Sequence, residues 1–299
     1  MTNRAKGVLA LVASALGFAL MAAFVRLADD FGAPISSFQK SFFRNVVAFA
    51  ISLAVLLRSG RCLAAARGAF CAGGAAAWLL ILRSALGTCG IFANFYALGL
   101  VPIADGQTLN KTAPFFTVAC AWMFLGERAT LRQGAALALA FAGVLLVVKP
   151  GFAGASAFPL AIGLLGGVCA GAAYACVRGL RRRNVDPAFI VVFFSLFSCL
   201  ASLPFMAAGF TPMTAMQVVV LLGAGAAAAV GQFGVTLAYG YAAPREIAVW
   251  DYTNIPFTAA LGFLMFDQVP DALSVAGFAL IVLAAARLPE APRVQGSSR

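Results

Sequence analysis

The chain has 299 residues, of which 63% are hydrophobic and only 10% charged, and its mean hydropathy is +0.96. A soluble domain carries about a quarter charged residues because its surface faces water. Most of this surface must therefore face lipid, and a separate soluble domain is excluded. The net charge of +11 would suggest nucleic acid in a soluble protein. Without the motifs of nucleic-acid binding it reads instead as Lys and Arg collected in loops on one side of a bilayer, and no nucleic-acid partner is expected.

A helix needs about 20 mostly apolar residues to cross a bilayer. Arg4 and Lys6 precede an apolar run at 7–28 that is long enough to span and is followed by nothing soluble, so it reads as a first transmembrane helix, not a signal peptide. Further runs follow at 36–57, 78–99, 104–125 and 133–149, then at 158–178, 187–208, 216–239, 246–266 and 272–287. The period-two alternation of a β-barrel is absent. The expectation is an all-α membrane protein of ten transmembrane helices.

With a cytoplasmic N-terminus, fifteen of the 21 basic residues fall on the cytoplasmic side, among them Arg58, Arg61, Arg67, Arg128, Arg132, Arg178, Arg181, Arg182 and Arg183. Arg26, Lys149 and most loop acids, including Asp29, Asp30, Asp105, Asp267 and Asp271, fall opposite. By the positive-inside rule both termini are cytoplasmic, in a multi-pass protein of the cell inner membrane. The halves also match at an offset of 142: Ala97 to Pro102 onto Tyr239 to Pro244, Pro114–Phe115 onto Pro256–Phe257, and Phe124 onto Phe266. The chain thus reads as two five-helix repeats, 1–150 and 151–299. An odd number of crossings makes the second copy inverted, a plan in which secondary transporters place substrate near the midplane.

Ionisable residues within a membrane are costly and face a cavity or a partner. Lys40 and Arg44 share one face of the second helix. The bland expectation is that Lys40 snorkels to the interface and Arg44 pairs with an acid or a helix C-terminus. In the third helix Arg83, Gly87, Gly90 and Asn94 recur on one small, polar face. The fourth presents Gln107, Lys111 and Pro114, with Asn110 beside them; the eighth presents Gln232, Thr236 and Tyr239; the ninth presents Asp251, Asn254 and Thr258, flanked by Trp250 and Tyr252. These stripes should point inward, either as a substrate site or as a dry network gluing the bundle. Pro114 and Pro256 fall near the middle of the fourth and ninth runs, where each would kink its helix and free a carbonyl four residues back, at Asn110 and Tyr252. Lys111 and Asp251 form the favoured pair, binding a zwitterion or, at Asp251, accepting a coupling proton. Phe95, Trp250, Tyr252 and Tyr239 offer rings for stacking. Gly163, Gly167 and Gly171 in the sixth helix are read as helix packing.

Seven cysteines, an odd count with no CxxC pair, read as small buried hydrophobes. Histidine is absent, which removes the commonest acid–base group and zinc ligand. No cofactor, metal site or catalytic residue is expected.

Ser41–Phe42–Phe43–Arg44, Leu82–Arg83, Tyr96 to Pro102, Ala113–Pro114–Phe115–Phe116 and Leu125–Gly126–Glu127–Arg128, with Asn254–Ile255–Pro256–Phe257 and Phe266–Asp267 as an echo in the second half, resemble the drug/metabolite transporter superfamily, in its EamA-type branch. Asp267 departs from the glutamate usual there. The resemblance implies two inverted repeats of five helices around a central cavity, and alternating access. The Phe-Phe-Arg and Leu-Arg context is reminiscent of S-adenosylmethionine-uptake members.

The function expected is secondary active transport of a small organic metabolite, amino-acid-like or S-adenosylmethionine-like, anionic or zwitterionic because Arg44, Arg83 and Lys111 outnumber Asp251. The chain is then not an enzyme. An intramembrane enzyme acting on a lipid substrate, a channel and a drug exporter of the same fold are the alternatives. Beyond the lipid bilayer and the substrate, proton or counter-substrate coupling, direction and a homodimeric state stay open.

Overall fold

A computed structural model of the chain describes residues 1–60, 74–98, 100, 108–151 and 157–286, with the backbone alone at 95 and 98. Gln107, Asp105, the Phe95 side chain, the basic residues 61, 67, 287, 293 and 299, and the Gly99 and Val101–Pro102 part of the repeat match lie outside the described residues.

Helix α1 (Asn3–Leu27) runs into a 3-10 turn (Ala28–Phe31) and is followed by α2 (Ser37–Arg58) and α3 (Gly74–Leu98). Next come α4 (Ala113–Leu125), α5 (Leu131–Val148), α6 (Ala157–Arg182), α7 (Pro187–Ala208) and α8 (Ala215–Tyr241). A short turn (Pro244–Ile247) and a 3-10 stretch (Ala248–Thr253) then lead into α9 (Asn254–Phe266) and α10 (Ala272–Ala286). Among the described residues every regular element is helical. Seven of these helices, α1 to α3 and α5 to α8, are long and apolar enough to cross a membrane. The starts follow ordinary chemistry. Thr130 and Thr214 each close a reciprocal capping box with the glutamine three residues on, and Asp186 caps α7 just before Pro187.

Helix α1 packs along α8, α3 along α6, α2 against α7 and α5 against α10; α4 lies on α6 and α9 on α1. Small residues make these approaches close. A Cβ added at Gly234 would stand 2.7 Å from the Ala10 carbonyl oxygen, and one at Gly143 would stand 2.6 Å from that of Gly277. Leu11, Leu80, Val177, Leu180, Ile190 and Val235 form the larger buried apolar cluster, and Leu137, Val144, Tyr252 and Ile281 belong to a second.

The fourth and ninth apolar runs differ from the continuous, proline-kinked helices that the sequence suggests. Residues 108–110 are helical, Lys111 and Thr112 form a turn, and α4 starts afresh at Ala113. In the second half the tight 3-10 stretch occupies 248–253 before α9 begins at Asn254. Pro114 and Pro256 are therefore the second and third residues of their α-helices, not mid-helix kinks. A first turn is where a missing N–H and a fixed φ cost nothing, because those N–H groups have no intrahelical partner.

Candidate functional site

The two interruptions face each other. Lys111 Nζ donates to Asn254 Oδ1 at 2.7 Å, and Asn254 Nδ2 donates to the Ala15 carbonyl of α1 at 2.9 Å. From the other side, the Tyr252 hydroxyl donates to the Lys111 carbonyl at 3.0 Å. Breaking each helix at this depth thus exposes backbone and side-chain polar groups where an unbroken helix would satisfy its own. The carbonyl that gains a side-chain partner is that of Lys111, one residue beyond the Asn110 carbonyl that Pro114 would free.

Asp251 sits on the 3-10 stretch, half-buried, within electrostatic reach of Lys111, Tyr174, Tyr239 and Tyr252. It makes no ion pair within contact distance of Lys111, whose ammonium is turned to Asn254. The rings of Tyr174 and Tyr239 lie 5.9 Å apart. Trp250 is half-buried, and its indole Nε1 is buried without an acceptor.

A second group lies on α2, α3 and α8. Arg83 is buried, stacks its guanidinium 3.7 Å over the Phe194 ring and donates from Nη2 to Gln232 Oε1 at 2.9 Å. Gly87 makes this seat: a Cβ there would stand 2.5 Å from Arg83 Nη1 and 2.9 Å from Phe194. Thr236 and Tyr239, one and two turns beyond Gln232, are also buried, so the α8 stripe points inward. Arg44 meets neither an acid nor a helix C-terminus; its one hydrogen bond runs from Nη1 to Met21 Sδ at 3.5 Å. Lys40 takes the bland role instead, pairing with Asp29 at 2.6 Å near the bundle end.

The structure therefore brings Lys111, Asp251, Tyr252 and Asn254 together, and separately Arg83 with Gln232, leaving Tyr239 beside Tyr174 in between. Asn94 and Asn110 are half-buried and make no side-chain hydrogen bond to either group. Thr258 faces outward, its hydroxyl spent on the Asn254 carbonyl at 2.8 Å, so the α9 stripe turns away after one turn. Tyr174 is absent from the sequence reading, yet it follows Gly171 by three positions on the glycine face of α6. That face does pack: a Cβ at Gly171 would stand 2.5 Å from the Ala113 carbonyl oxygen, so the glycine seats the start of α4 directly behind Lys111.

At the end of α4, Gly126 takes φ +70 and turns Glu127 inward. Glu127 Oε1 accepts from Arg178 Nε at 2.8 Å and lies 3.7 Å from Arg182, while Arg178 also donates to the Tyr239 carbonyl at 3.0 Å. This ties α4, α6 and α8 at one end. At the end of α9, the Arg26 guanidinium lies 4.5 Å from the centre of the Phe266 ring, and the Gln268 amide, with its oxygen toward Arg26, accepts from both η nitrogens.

Residues 5–149 match the EamA-like transporter family. A pseudopaline exporter of Pseudomonas aeruginosa is 30% identical over 93% of this chain and 94% of its own. A riboflavin transporter of Rhizobium johnstonii is 30% identical over 82% of this chain and 78% of its own. One crystal structure superposes with a TM-score of 0.75 over 92% of this chain and 96% of the other, at 19% identity, a likeness of fold alone.

Proposed function

The chain belongs to the EamA-like transporter family of the drug/metabolite transporter superfamily, and we propose that it is a ten-span secondary active transporter that moves a small organic metabolite across the inner membrane by alternating access. The ten spans form two inverted repeats, 1–150 and 151–299, around a central site. Pairing each helix with the one five places on supports this: α1 on α8 then corresponds to α6 on α3, and α4 on α6 to α9 on α1. The pairs α2–α7 and α5–α10 map onto themselves. Both termini are cytoplasmic, which puts the Glu127 clasp inside and the Arg26–Gln268 contact outside.

One observation carries the site. The Asp251 carboxylate accepts no hydrogen bond among the described residues, although it stands at a helix interruption among three tyrosines and a lysine. A half-buried carboxylate left without donors is available to a substrate amine or a coupling proton, since polar groups held in a membrane interior require partners. Lys111 and Asn254 position the facing wall, and Tyr239, Tyr252 and Trp250 supply aromatic surface. Asn110 and Asn94, half-buried, are placed on the approach. The substrate is amino-acid-like or S-adenosylmethionine-like, anionic or zwitterionic. The relatives, named for pseudopaline export and riboflavin transport, support a metabolite as cargo.

The test is thermal stabilisation of the detergent-purified protein against a panel of amino acids, S-adenosylmethionine, pseudopaline and riboflavin. A ligand at 100 times its Kd stabilises by about 2.7 kcal/mol. A hit abolished by Lys111→Met and Asp251→Asn supports the site, whereas a hit that both variants retain in full removes it.

A further inference from the structure

Buried guanidinium groups are rarely left without an anion, because the desolvation of an uncompensated charge costs several kcal/mol. Two such groups occur here, on α2 and α3, both of which pack against α7. Arg44 Nε and Nη2 are buried with no acceptor, and its remaining contact is a thioether sulfur. Arg83 Nε is likewise buried with no acceptor, and its other contacts are an aromatic face and a neutral amide oxygen. The groups within electrostatic reach of Arg44 are Tyr174 and Cys199. Those around Arg83 are Tyr174, Cys176 and Arg44 itself. No carboxylate is among them. Asp251, the central acid, reaches Tyr174 from the other side.

A structural arginine would have been given its acid, as Arg178 is given Glu127 at 2.8 Å and Lys40 is given Asp29 at 2.6 Å. Lipid contact does not explain the pair either, because both carry atoms buried inside the protein. Three of their nitrogens lack an acceptor across two planar forks, the donor geometry that oxyanions match best. Counting the centre as a whole, Arg44, Arg83 and Lys111 stand against Asp251 alone, an excess of two positive charges.

We propose that Arg44 and Arg83 form an oxyanion subsite of the transport site, which receives the acidic end of the substrate while Asp251 takes its other end across Tyr174. The cargo is then a metabolite with two negative charges at one end, as two carboxylates or one phosphate, and an amine at the other. This rests on the reading of a central site given above, and it adds the face of that site opposite Asp251. Gly87 belongs to the subsite, because only a residue without Cβ lets the Arg83 guanidinium lie on Phe194.

The experiment measures the melting temperature of the whole purified protein in detergent at constant ionic strength. Sodium malonate, sodium phosphate, sodium chloride and putrescine dihydrochloride are titrated onto the wild type and onto Arg44→Met, Arg83→Met, Arg44→Lys, Lys111→Met and Asp251→Asn. Malonate or phosphate is expected to raise the wild-type melting temperature where chloride and putrescine do not, and whichever anion is stronger identifies the acidic group. Each Arg→Met change is expected to weaken that response about tenfold or more, and Arg44→Lys to restore part of it. A second readout needs no ligand: without anion, Arg44→Met and Arg83→Met should melt above the wild type, since each removes an uncompensated buried charge. Equal anion responses in the wild type and both Met variants would overturn the proposal, as would Met variants that melt below the wild type with no anion response in any protein. An anion response lost with the arginines but kept in Lys111→Met and Asp251→Asn would support the subsite independently of the Lys111–Asp251 reading, which the amine-bearing ligands of the metabolite panel test.

Discussion

Glu127 shows how much one ion pair contributes to the bundle. Its side chain is 10% exposed and that of Arg178 is 16% exposed, so the pair, 2.8 Å apart, is nearly out of solvent. Arg182, at 3.7 Å and 47% exposed, adds little. Replacing one partner of a buried pair costs about 3–5 kcal/mol because the other charge is stranded. The residual exposure favours the lower figure. On a scale of roughly 2 °C per kcal/mol for a long chain, Glu127→Met should lower the melting temperature of the detergent-purified protein by about 6 °C. Replacing both partners removes the stranded charge. Glu127→Met with Arg178→Met should therefore recover most of the loss, leaving about 1 kcal/mol for the Tyr239 carbonyl that Arg178 also serves. The recovery should be insensitive to salt, as a surface pair would not be. If the double variant melts as low as the two single losses added together, the pair is not coupled and the clasp is wrongly described.

Other consequences follow from contact geometry. Gly171→Ala should destabilise and weaken ligand binding together, because its Cβ would meet the Ala113 backbone at 2.5 Å and push the start of α4 off α6; Gly134→Ala, where nothing lies within 4 Å, should be neutral or stabilising by up to about 1 kcal/mol, and paired thermal melts compare them. Pro114→Ala and Pro256→Ala should each change stability by under about 1 kcal/mol, since both prolines occupy a first turn; a gain near 3 kcal/mol would mean that they lie within continuous helices after all. Hydrogen bonds from Lys149 and then from Ser274 hold the Asp271 carboxyl below the usual carboxylate range. A depressed carboxyl adds stability that is present above the unfolded pKa of about 3.9 and is lost as pH falls below it. Asp271 is 54% exposed, so Asp271→Asn should shift the neutral-pH melting temperature only slightly and flatten its fall between about pH 4 and 2.

Much of the fold was legible because lipid imposes a length and a composition on every span. The seven helices long enough to cross a membrane coincide with apolar runs read from the sequence, and the inward stripe of Gln232, Thr236 and Tyr239 followed from helical spacing. The breaks in the fourth and ninth runs did not show, because hydropathy sums over residues and Lys111–Thr112 or Asp251–Tyr252 barely dent a run that stays apolar on both sides. Proline marked the right places but not the right geometry, since the same residue serves a kink or a first turn. Partner choice was hidden more deeply. Arg178 was one basic residue in a tally that set orientation, and only the inward turn at Gly126 makes it the counter-ion of Glu127. Arg44 had the sequence environment of a pairing residue and received no acid. Both outcomes depend on which helices meet, and in this bundle those meetings join residues 51 positions apart for Glu127 and Arg178 and 149 apart for Arg83 and Gln232. A local pattern can show that an arginine needs an anion. Where the bundle supplies none, the need passes to whatever the site binds, and so the unmatched charges, more than the matched ones, point to the cargo.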